Sequence, residues 1–551
     1  MKIDSILEKV SKNESLNSKG TKKLLFITAF ILIFLRILSY AWCSDDAFHI
    51  YTMAKNLLDG NGFTPTHGLR VNVATCPLWA LVVAFGMFFW NNPYAIGMIF
   101  NLMFSGIALL LLFRLIYEKE SWFVILVVVT AILCFSKTYL SFTTSGLENA
   151  LILLLSTLYL EVFFKNEYFS KKELFKIALL EGLIAFTRMD CALIFSFTSA
   201  YAFLFKYTKD ESDSAGFSLK KVISIIPIAL AGLSPFIFWE LFSLFYYGSF
   251  VPNTALAKLN TGFPLSDYLI RGVWYVFLST AFDFIIVFLP ILSVLFLLLK
   301  NKKRTKESCV AAGLGLYSLY IIYIGGDFML GRHFLSLFWC VLLLIFISNN
   351  DLLTKIFFGT AILTVIFYGI FQTNSIQNHY NSFVAENTPC WYTDEQQWYY
   401  KWTGLIPVVA DYAKNGKISI LKNSTRNGIL WFYGIKFYQL ENEELAKTSY
   451  EYRLYDPLLS RLPAFREKKW RVGHMQRIIP EGYNQTLFEN GNYIKDLDLK
   501  FYYSKLNFVL SGDLLDPKRI KEFVKFYTGA YDHYLQQYIE KHKHENQPVF
   551  D

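Results

Sequence analysis

Two adjacent carboxylates, Asp45 and Asp46, stand almost directly after the first apolar run of the chain. A carboxylate at the rim of a bilayer can act as a general base, because an acceptor hydroxyl is a poor nucleophile until it loses its proton. The second carboxylate would orient the acceptor or bind a divalent cation, and Asp46 is the candidate metal ligand. This pattern makes no cofactor certain, and an aspartate that caps the following helix is the structural alternative.

A second polar stretch, "GGDFMLGRHFL", places Asp327, Arg332 and His333 between two apolar runs. Its glycines permit a tight turn in which the backbone approaches its neighbours closely. The planar guanidinium of Arg332 can hold a phosphate through two parallel hydrogen bonds. The alternative is an arginine that anchors a helix end at the membrane surface.

Three further stretches carry charges at the ends of apolar runs. "VPNTALAKLN" supplies Lys258, a cation outside the basic loops, which indicates an anionic partner, with a solvent-exposed lysine as the alternative. "FTRMD" supplies Arg188, a third phosphate-binding candidate, and Asp190, with a local ion pair as the alternative. "TSGLEN" supplies Glu148, a site candidate or a helix cap. Together these residues suit a phosphate-bearing donor, since an acid would serve the acceptor and cations the leaving phosphate.

The elements that must position these residues are apolar helices. Only 18% of the 551 residues are charged, whereas soluble domains average about a quarter. Residues 24–372 consist mostly of apolar runs near the thickness of a bilayer core, and residues 373–551 resemble a water-facing domain. The sequence therefore predicts a polytopic α-helical membrane protein with a cytoplasmic segment 1–23, a first extracytoplasmic loop 43–75 and a C-terminal soluble mixed α/β domain.

Basic loops set the expected orientation of the helices. Stretches such as "KNEYFSKKELFK" and "KNKKRTK" are predicted to be cytoplasmic, which puts the first loop, the loops with candidate residues and the C-terminal domain on the opposite side. Twelve segments would return the C-terminus to the cytoplasm. Either one segment between 75 and 165 is therefore expected not to cross, or two of them form a re-entrant hairpin, which leaves about eleven spans. The candidate segments are 24–42, 75–91, 95–117, 121–140, 146–165, 174–188, 190–207, 222–247, 272–299, 309–325, 332–348 and 352–372.

The remaining features exclude some functions and predict the structure of the tail. The formal net charge of +9 is assigned to cytoplasmic loops, so we expect no nucleic-acid partner. Cys43 and Cys76 bracket the first loop, and a disulfide between them is left open. In the tail, residues 416–424 alternate like a strand, whereas residues 516–546 have the period of a helix.

Several of these stretches, taken in order, resemble a known family. "DDAFHIYTMAKNLLDGNGFTPTHGLRVNVATCPLW" is similar to the first extracytoplasmic loop of GT-C polyprenyl-phosphate glycosyltransferases, in particular of the membrane arabinofuranosyltransferase family. "TSGLENAL", "FTRMD", "VPNTALAK", "GGDFMLGRHFL" and, in the tail, "TDEQQWYYKWTGL" look like later parts of that family. Asn72 stands near a position where the family has an acid, and Met189 replaces its usual Pro, so the resemblance does not carry over the identity of the sugar.

The resemblance implies a bacterial inner-membrane enzyme with an extracytoplasmic C-terminal domain. Its donor would be a polyprenyl-phosphate-linked pentose or hexose, its acceptor a cell-envelope glycan or lipid, and its base Asp45 or Asp46. Two alternatives are a transporter or flippase of lipid-linked sugars, which favours polar residues at mid-membrane, and a protein like the O-antigen ligases or polymerases.

Overall fold

The described part of the chain is α-helical. No β-strand occurs in it, and only two isolated bridges do, between Phe169 and Tyr207 and between Met329 and Thr393. The computed structural model describes residues 18–65, 69–207, 219–300, 305–348, 350–371, 392–416, 456–464, 475, 477, 479–489 and 491–543.

The helices up to residue 371 form one bundle with a single large apolar core. They are α1 Lys19–Tyr40, α2 Asp45–Leu58, α3 Pro77–Phe89, α4 Pro93–Tyr117, α5 Trp122–Phe135, α6 Lys137–Phe142, α7 Asn149–Lys165, α8 Lys171–Thr187, α9 Ser196–Phe205, α10 Leu219–Tyr247, α11 Asn253–Leu259, α12 Leu265–Phe282, α13 Phe284–Lys300, α14 Lys306–Tyr323, α15 Phe334–Ile347 and α16 Asp351–Phe371. A 3₁₀ helix, Met189–Ile194, joins α8 to α9.

Helix α15 forms the centre of the bundle. Its residues Phe334 to Phe346 are all buried, as expected for a helix that is apolar on every side. It packs against α4, α6, α7, α13 and α16. The indole of Trp339 donates a hydrogen bond to the Thr157 hydroxyl of α7 at 2.9 Å, which fixes the two helices side by side. The N-terminus of α15 follows directly on the predicted site residues Arg332 and His333.

The prediction of about eleven membrane spans is wrong. Three described helices are long and apolar enough to cross a membrane, and a bent helix pair adds a fourth if it counts as one span. Several other apolar segments form shorter helices of 10–17 residues, among them Pro77–Phe89, Trp122–Phe135 and Phe334–Ile347, whereas a bilayer core about 30 Å thick takes about 20 residues. Long apolar helices with exposed hydrophobic side chains remain consistent with membrane association. The three helices are Lys19–Tyr40, Pro93–Tyr117 and Ile223–Tyr247.

The bent pair corrects the predicted span 272–299. The chain turns by 120° between α12 and α13, at the buried Asp283. One oxygen of that carboxylate accepts hydrogen bonds from the Ser136 hydroxyl at 2.7 Å and from the Thr138 backbone amide at 2.9 Å. The apolar run is therefore interrupted by a turn at Asp283, whose carboxylate accepts hydrogen bonds from the first residues of α6.

The predicted α/β character of the tail is also wrong for the residues that the structure describes. These residues form α17 Glu395–Thr403, α18 Leu405–Asn415, α19 Tyr483–Phe488, α20 Leu497–Ser511, α21 Pro517–Tyr527 and α22 Asp532–Lys541, with a 3₁₀ turn at Leu459–Arg461. The predicted strand 416–424 lies outside the described residues except for Gly416. The helix predicted over 516–546 is two helices, α21 and α22, separated by a turn at Gly529 with a positive φ of 74°.

The tail contacts the bundle where the candidate loops lie. The Leu405 amide donates to the Ala41 carbonyl at the end of α1, at 2.7 Å. The Thr393 amide donates to the Phe328 carbonyl at 2.8 Å, which joins the tail to the loop before α15. The buried guanidinium of Arg477 donates to the Ala257 carbonyl of α11 at 2.5 Å.

Candidate active site

Loops at one end of the bundle bring most of the predicted site residues together. The loop Gly325–His333 can approach its neighbours because Gly326 and Gly331 have φ angles of 72° and 79°, which favour glycine. A Cβ at Gly326 would overlap the Tyr275 ring. Glu148 precedes α7 and Arg188 follows α8, so both side chains extend from helix ends into the same polar cluster.

Glu148 joins the two arginines of the cluster. Its Oε1 accepts a hydrogen bond from Arg188 Nη1 at 2.9 Å and one from Arg332 Nη2 at 3.4 Å. The side chain is 1% exposed. Burial pushes the pKa of Glu148 upward, but the charges of Arg332 and Arg188 outweigh it and hold this pKa below its ordinary value. The carboxylate is therefore ionised and bridges two cations.

Arg188 is engaged by protein acceptors. Its Nε donates to Asp190 Oδ1 at 2.9 Å, and its Nη2 lies 3.3 Å from Asp190 Oδ2. The same Nη2 is 3.3 Å from Nδ1 of His333. With Glu148 on Nη1, the guanidinium thus has partners on all three nitrogens. This arrangement matches the local ion pair that the sequence offered as the alternative to phosphate binding.

Arg332 is held more loosely than Arg188. Its Nη1 lies 3.6 Å from Asp327 Oδ2 and 3.9 Å from Asp46 Oδ2, and 3.3 Å from the Met329 sulfur. Its buried Nε has no hydrogen-bond partner among the described residues. Because a buried donor without a partner is costly, Arg332 retains capacity for a further anionic acceptor.

The two adjacent aspartates have different environments. Asp45 Oδ2 accepts a hydrogen bond from the Tyr399 hydroxyl at 2.6 Å, and its Oδ1 accepts one from the Asp46 amide at 2.9 Å. The Asp46 side chain is 38% exposed and faces Arg332. Desolvation, and then the charge of Asp45, raise the pKa of Asp46 against the attraction of Arg332. Asp46 is therefore the accessible proton acceptor, whereas Asp45 is occupied.

His333 and Asp327 complete the inner wall of the cluster. His333 Nε2 lies 3.7 Å from Asp327 Oδ2, and its Nδ1 lies 3.0 Å from the Tyr317 hydroxyl. Burial, and then the charge of Arg188, lower the pKa of His333 to about 3. Burial alone would raise the pKa of Asp327, but Arg332 and nearby cations lower it to about 2. At neutral pH the site therefore holds an uncharged imidazole beside an ionised carboxylate.

Lys258 lies at the rim of this cluster. It stands in the last turn of α11 and is exposed, yet its charge acts on both Asp46 and Asp327 by lowering their pKa values. The Tyr268 hydroxyl donates to the Lys258 carbonyl at 3.0 Å, and the Arg477 contact holds the same helix turn from the tail. The flexible ammonium is thus carried by a well-anchored backbone.

Asn72, which departs from the family pattern, has a structural position. The side-chain amide of Asn72 donates to the Ser243 hydroxyl at 3.1 Å, and the backbone carbonyl of Asn72 accepts a hydrogen bond from the backbone amide of Asn253 at 2.6 Å. These bonds join the first loop to α10 and to the start of α11.

The structure gives no support to a metal centre at Asp46. No group of three or more His, Cys, Asp or Glu side chains in the described ranges is arranged to hold a metal ion. The nearest partner of Asp46 is the guanidinium of Arg332, which supplies positive charge at that point. Cys43 and Cys76 are both buried free thiols, so they do not form the disulfide that their spacing left open.

Sequence reasoning singled out the tail stretch that contains Tyr399 but not the contact of Tyr399 with Asp45, and it missed Tyr317. Tyr399 comes from α17, 354 residues after its partner Asp45, and Tyr317 comes from the apolar helix α14. Tyr317 contacts both His333 and Asp190, the latter at 3.4 Å. Tyrosines are common at membrane surfaces, so neither position carries a distinctive signal in the sequence.

Comparisons with known proteins do not assign this site. No protein-family model, curated protein or solved structure matches the chain. The chemistry of the site follows from its own residues.

The hydrogen bond between Tyr399 and Asp45 is open to a direct test. We expect Tyr399→Phe to lower the free energy of unfolding by about 1–3 kcal/mol, because it removes the hydroxyl donor of a buried carboxylate. Denaturant titration of the purified protein measures the change. Tyr412→Phe is the matched control, since Tyr412 is 59% exposed in the neighbouring α18 and should change stability by less than about 0.5 kcal/mol. Equal effects of the two substitutions would show that this bond does not stabilise the fold.

The lowered pKa of His333 predicts a loss of stability in acid. An unfolded histidine takes up its proton near its ordinary pKa of 6.5, whereas folded His333 stays neutral down to about 3. Stability that His333 contributes above pH 6.5 is therefore lost as the pH falls through this window. We expect the thermal midpoint of His333→Gln to fall less steeply with acid than that of the parent. The exposed His533 supplies the control, His533→Gln, whose curve should parallel the parent; a parallel curve for His333→Gln would contradict the prediction.

Proposed function

We propose that the chain is a membrane glycosyltransferase. It would move a pentose or hexose from a polyprenyl-phosphate donor to a cell-envelope glycan or lipid, on the outer face of the bacterial inner membrane. The observation that carries this proposal is the accessible Asp46 carboxylate 3.9 Å from Arg332, a proton acceptor beside a cation with an unused donor. The resemblance of the ordered loop motifs to GT-C enzymes supports the same reaction class.

The proposed reaction divides the site into two halves. Asp46 would take the proton of the acceptor hydroxyl as its oxygen forms a bond to C1 of the donor sugar. The bond between C1 and the phosphate oxygen breaks, and the bonding pair leaves with the polyprenyl phosphate. Arg332 and Lys258 would stabilise the negative charge that collects on this phosphate.

The other charged residues are proposed to position this machinery. The guanidinium of Arg188 already contacts Glu148, Asp190 and His333. We therefore assign Arg188 to positioning Arg332 through Glu148, and not to binding the phosphate. Asp327, in the loop before α15, would hold Nη1 of Arg332, which lies 3.6 Å from Asp327 Oδ2. This assignment needs no metal ion, because the two cations supply the charge.

The long apolar helices support a lipid-linked donor. Helices such as α1 and α10 expose apolar side chains along their length, whereas the charged cluster lies at helix ends. A donor with a polyprenyl chain would keep its tail in lipid while its phosphate reaches Arg332. A flippase would instead need a polar path through the bundle, and every residue of α15 at its centre except Ser336 is hydrophobic.

Turnover of a lipid-linked sugar tests the proposal. The full chain in liposomes is given a radiolabelled polyprenyl-phospho-sugar and a cell-envelope extract as acceptor, and labelled glycan and released polyprenyl phosphate are measured. Label that only crosses the bilayer, with the sugar–phosphate bond intact, would replace the transferase proposal with a flippase.

Lys258→Gln refines this assay. We expect it to raise the KM for the donor by about 10- to 150-fold, because a charged hydrogen bond to phosphate is worth about 1.5–3 kcal/mol and every 1.4 kcal/mol is about tenfold. Lys55→Gln is the matched control, since Lys55 is an exposed lysine of α2 that pairs with Asp59 at 2.6 Å. An unchanged KM for Lys258→Gln would remove this lysine from the phosphate site.

A further inference from the structure

Helix α21 of the tail presents an unusual apolar face. Ile520, Val524 and Tyr527 follow each other at the i, i+4, i+7 spacing of one helix face, and they are 39%, 50% and 59% exposed. Leu515, just before the helix, is 77% exposed. Soluble proteins rarely expose such a contiguous apolar patch to water, which indicates that another surface covers this face of α21.

The inner face of α21 fixes where this patch lies. Arg519 is buried, and its Nη2 donates to the Phe245 and Tyr246 carbonyls at 3.0 and 3.2 Å. Those carbonyls belong to the last turn of α10. The ring of Tyr527 packs against Phe250 with centroids 5.7 Å apart. Helix α21 is thus attached to the end of a helix that is long and apolar enough to cross a membrane.

The exposed face of α10 leads directly to this attachment. Phe238, Leu241 and Phe245 are exposed along its second half, and only 17% of its most apolar stretch is buried. A helix with so little protein around its apolar side chains has lipid as its natural environment. The hydrogen bonds of Arg519 place α21 at the end of this exposed helix.

Charge on α21 identifies the kind of surface it meets. Lys521 is exposed beside the apolar face, and Lys518 is exposed on the opposite, polar face of the helix. Lys525 pairs with Glu522 at 3.1 Å. A helix with an apolar face and lysines on its polar side is typical of helices that lie in the plane of an anionic membrane surface. Lysine stems reach along the apolar region and place their ammonium groups among headgroups.

We propose that α21 lies in the interfacial layer of the bilayer that α10 enters. Its apolar face would rest on the acyl chains, and Lys521, at the edge of that face, would bind the phosphate of an anionic phospholipid. This inference does not depend on glycosyl transfer, because it concerns only the contact between the tail and the membrane.

Depth-dependent quenching tests the proposal with the full chain in liposomes of phosphatidylglycerol and phosphatidylcholine. An environment-sensitive fluorophore is attached through Val524→Cys, and through Gln536→Cys on the exposed side of α22 as the matched control. Wild-type protein carried through the same labelling supplies the background of native thiols. Acyl-chain nitroxides should quench the label at position 524 at least about threefold more than the label at 536, and iodide should do the reverse. Ile520→Cys replaces Val524→Cys if that variant does not fold.

Two outcomes would overturn the inference. Strong quenching by iodide at position 524 would place α21 in water, and protection from both quenchers would indicate another protein as the occupant. In phosphatidylcholine alone, Lys521→Gln should leave quenching at position 524 unchanged, whereas with phosphatidylglycerol it should raise quenching by iodide at that position. If Lys521→Gln has the same effect in both lipids, the anionic headgroups have no role in the contact.

Discussion

Asp46→Asn is expected to reduce sugar transfer by about 10²–10⁴-fold, the usual contribution of a general base. An amide cannot take up the acceptor proton, but it preserves the shape of the side chain at its 38% exposed position. Initial rates of the liposome assay, at saturating donor and acceptor, measure the loss. Because the pKa of Asp46 is raised, the acid limb of the parent rate profile should lie above the ordinary aspartate value of 3.8.

Two further variants separate chemistry from folding. Asp59→Asn removes an exposed carboxylate at the other end of the same helix and should leave the rate unchanged. Asp45→Asn should act mainly on stability, because Asp45 is bound by Tyr399. Full turnover by a folded Asp46→Asn protein, together with an inactive Asp45→Asn protein, would transfer the role of base to Asp45.

Glu148→Gln is expected to destabilise the fold by on the order of 3–5 kcal/mol, because breaking a buried ion pair leaves an uncompensated charge. Here the loss affects two guanidiniums, Arg188 at 2.9 Å and Arg332 at 3.4 Å. Equilibrium unfolding of the purified protein measures the free energy. Transfer should also fall, since Arg332 would lose the carboxylate that orients it.

The same helix offers a matched control for this prediction. Glu161 of α7 pairs with Arg114, whose side chain is 58% exposed, and exposed pairs contribute about 0–1 kcal/mol. Glu161→Gln should therefore have a small effect. A double-mutant cycle with Arg332→Gln isolates the coupling between Glu148 and Arg332. Similar losses for Glu148→Gln and Glu161→Gln would contradict the bridging role of Glu148.

Much of the clustering of the charged site residues could be predicted from the sequence, whereas the different roles of Asp45 and Asp46 could not. Polar stretches at the ends of apolar runs predict that Glu148, Arg188 and Arg332 share one end of the bundle, and in the structure they are in contact. Asp45 and Asp46 are neighbours on one helix, where successive side chains point about 100° apart. Because of this rotation, the Asp45 carboxylate contacts Tyr399 and the Asp46 carboxylate faces Arg332. This difference depends on the fold and could not be predicted from the sequence.

The number of spans could not be read from hydropathy alone. An apolar run predicts that a segment is buried, but it does not distinguish a segment buried in protein from one buried in lipid, because both consist of apolar side chains. Helix α15 is hydrophobic at every position except Ser336, yet protein surrounds it and it is only 14 residues long. Asp283 sits within an apolar run, yet it marks a 120° bend because its partners come from Ser136 and Thr138, distant in the chain.

The tail holds the candidate site at separate points. Tyr399 binds Asp45, Thr393 joins the loop before α15, and Arg477 holds the turn that carries Lys258. During translation the bundle is therefore made before these tail contacts can form. A chain that ended before residue 393 would keep the pairing of Glu148 with Arg188 and Arg332. It would lack the hydrogen bonds that the tail supplies to Asp45, to the loop before α15 and to α11.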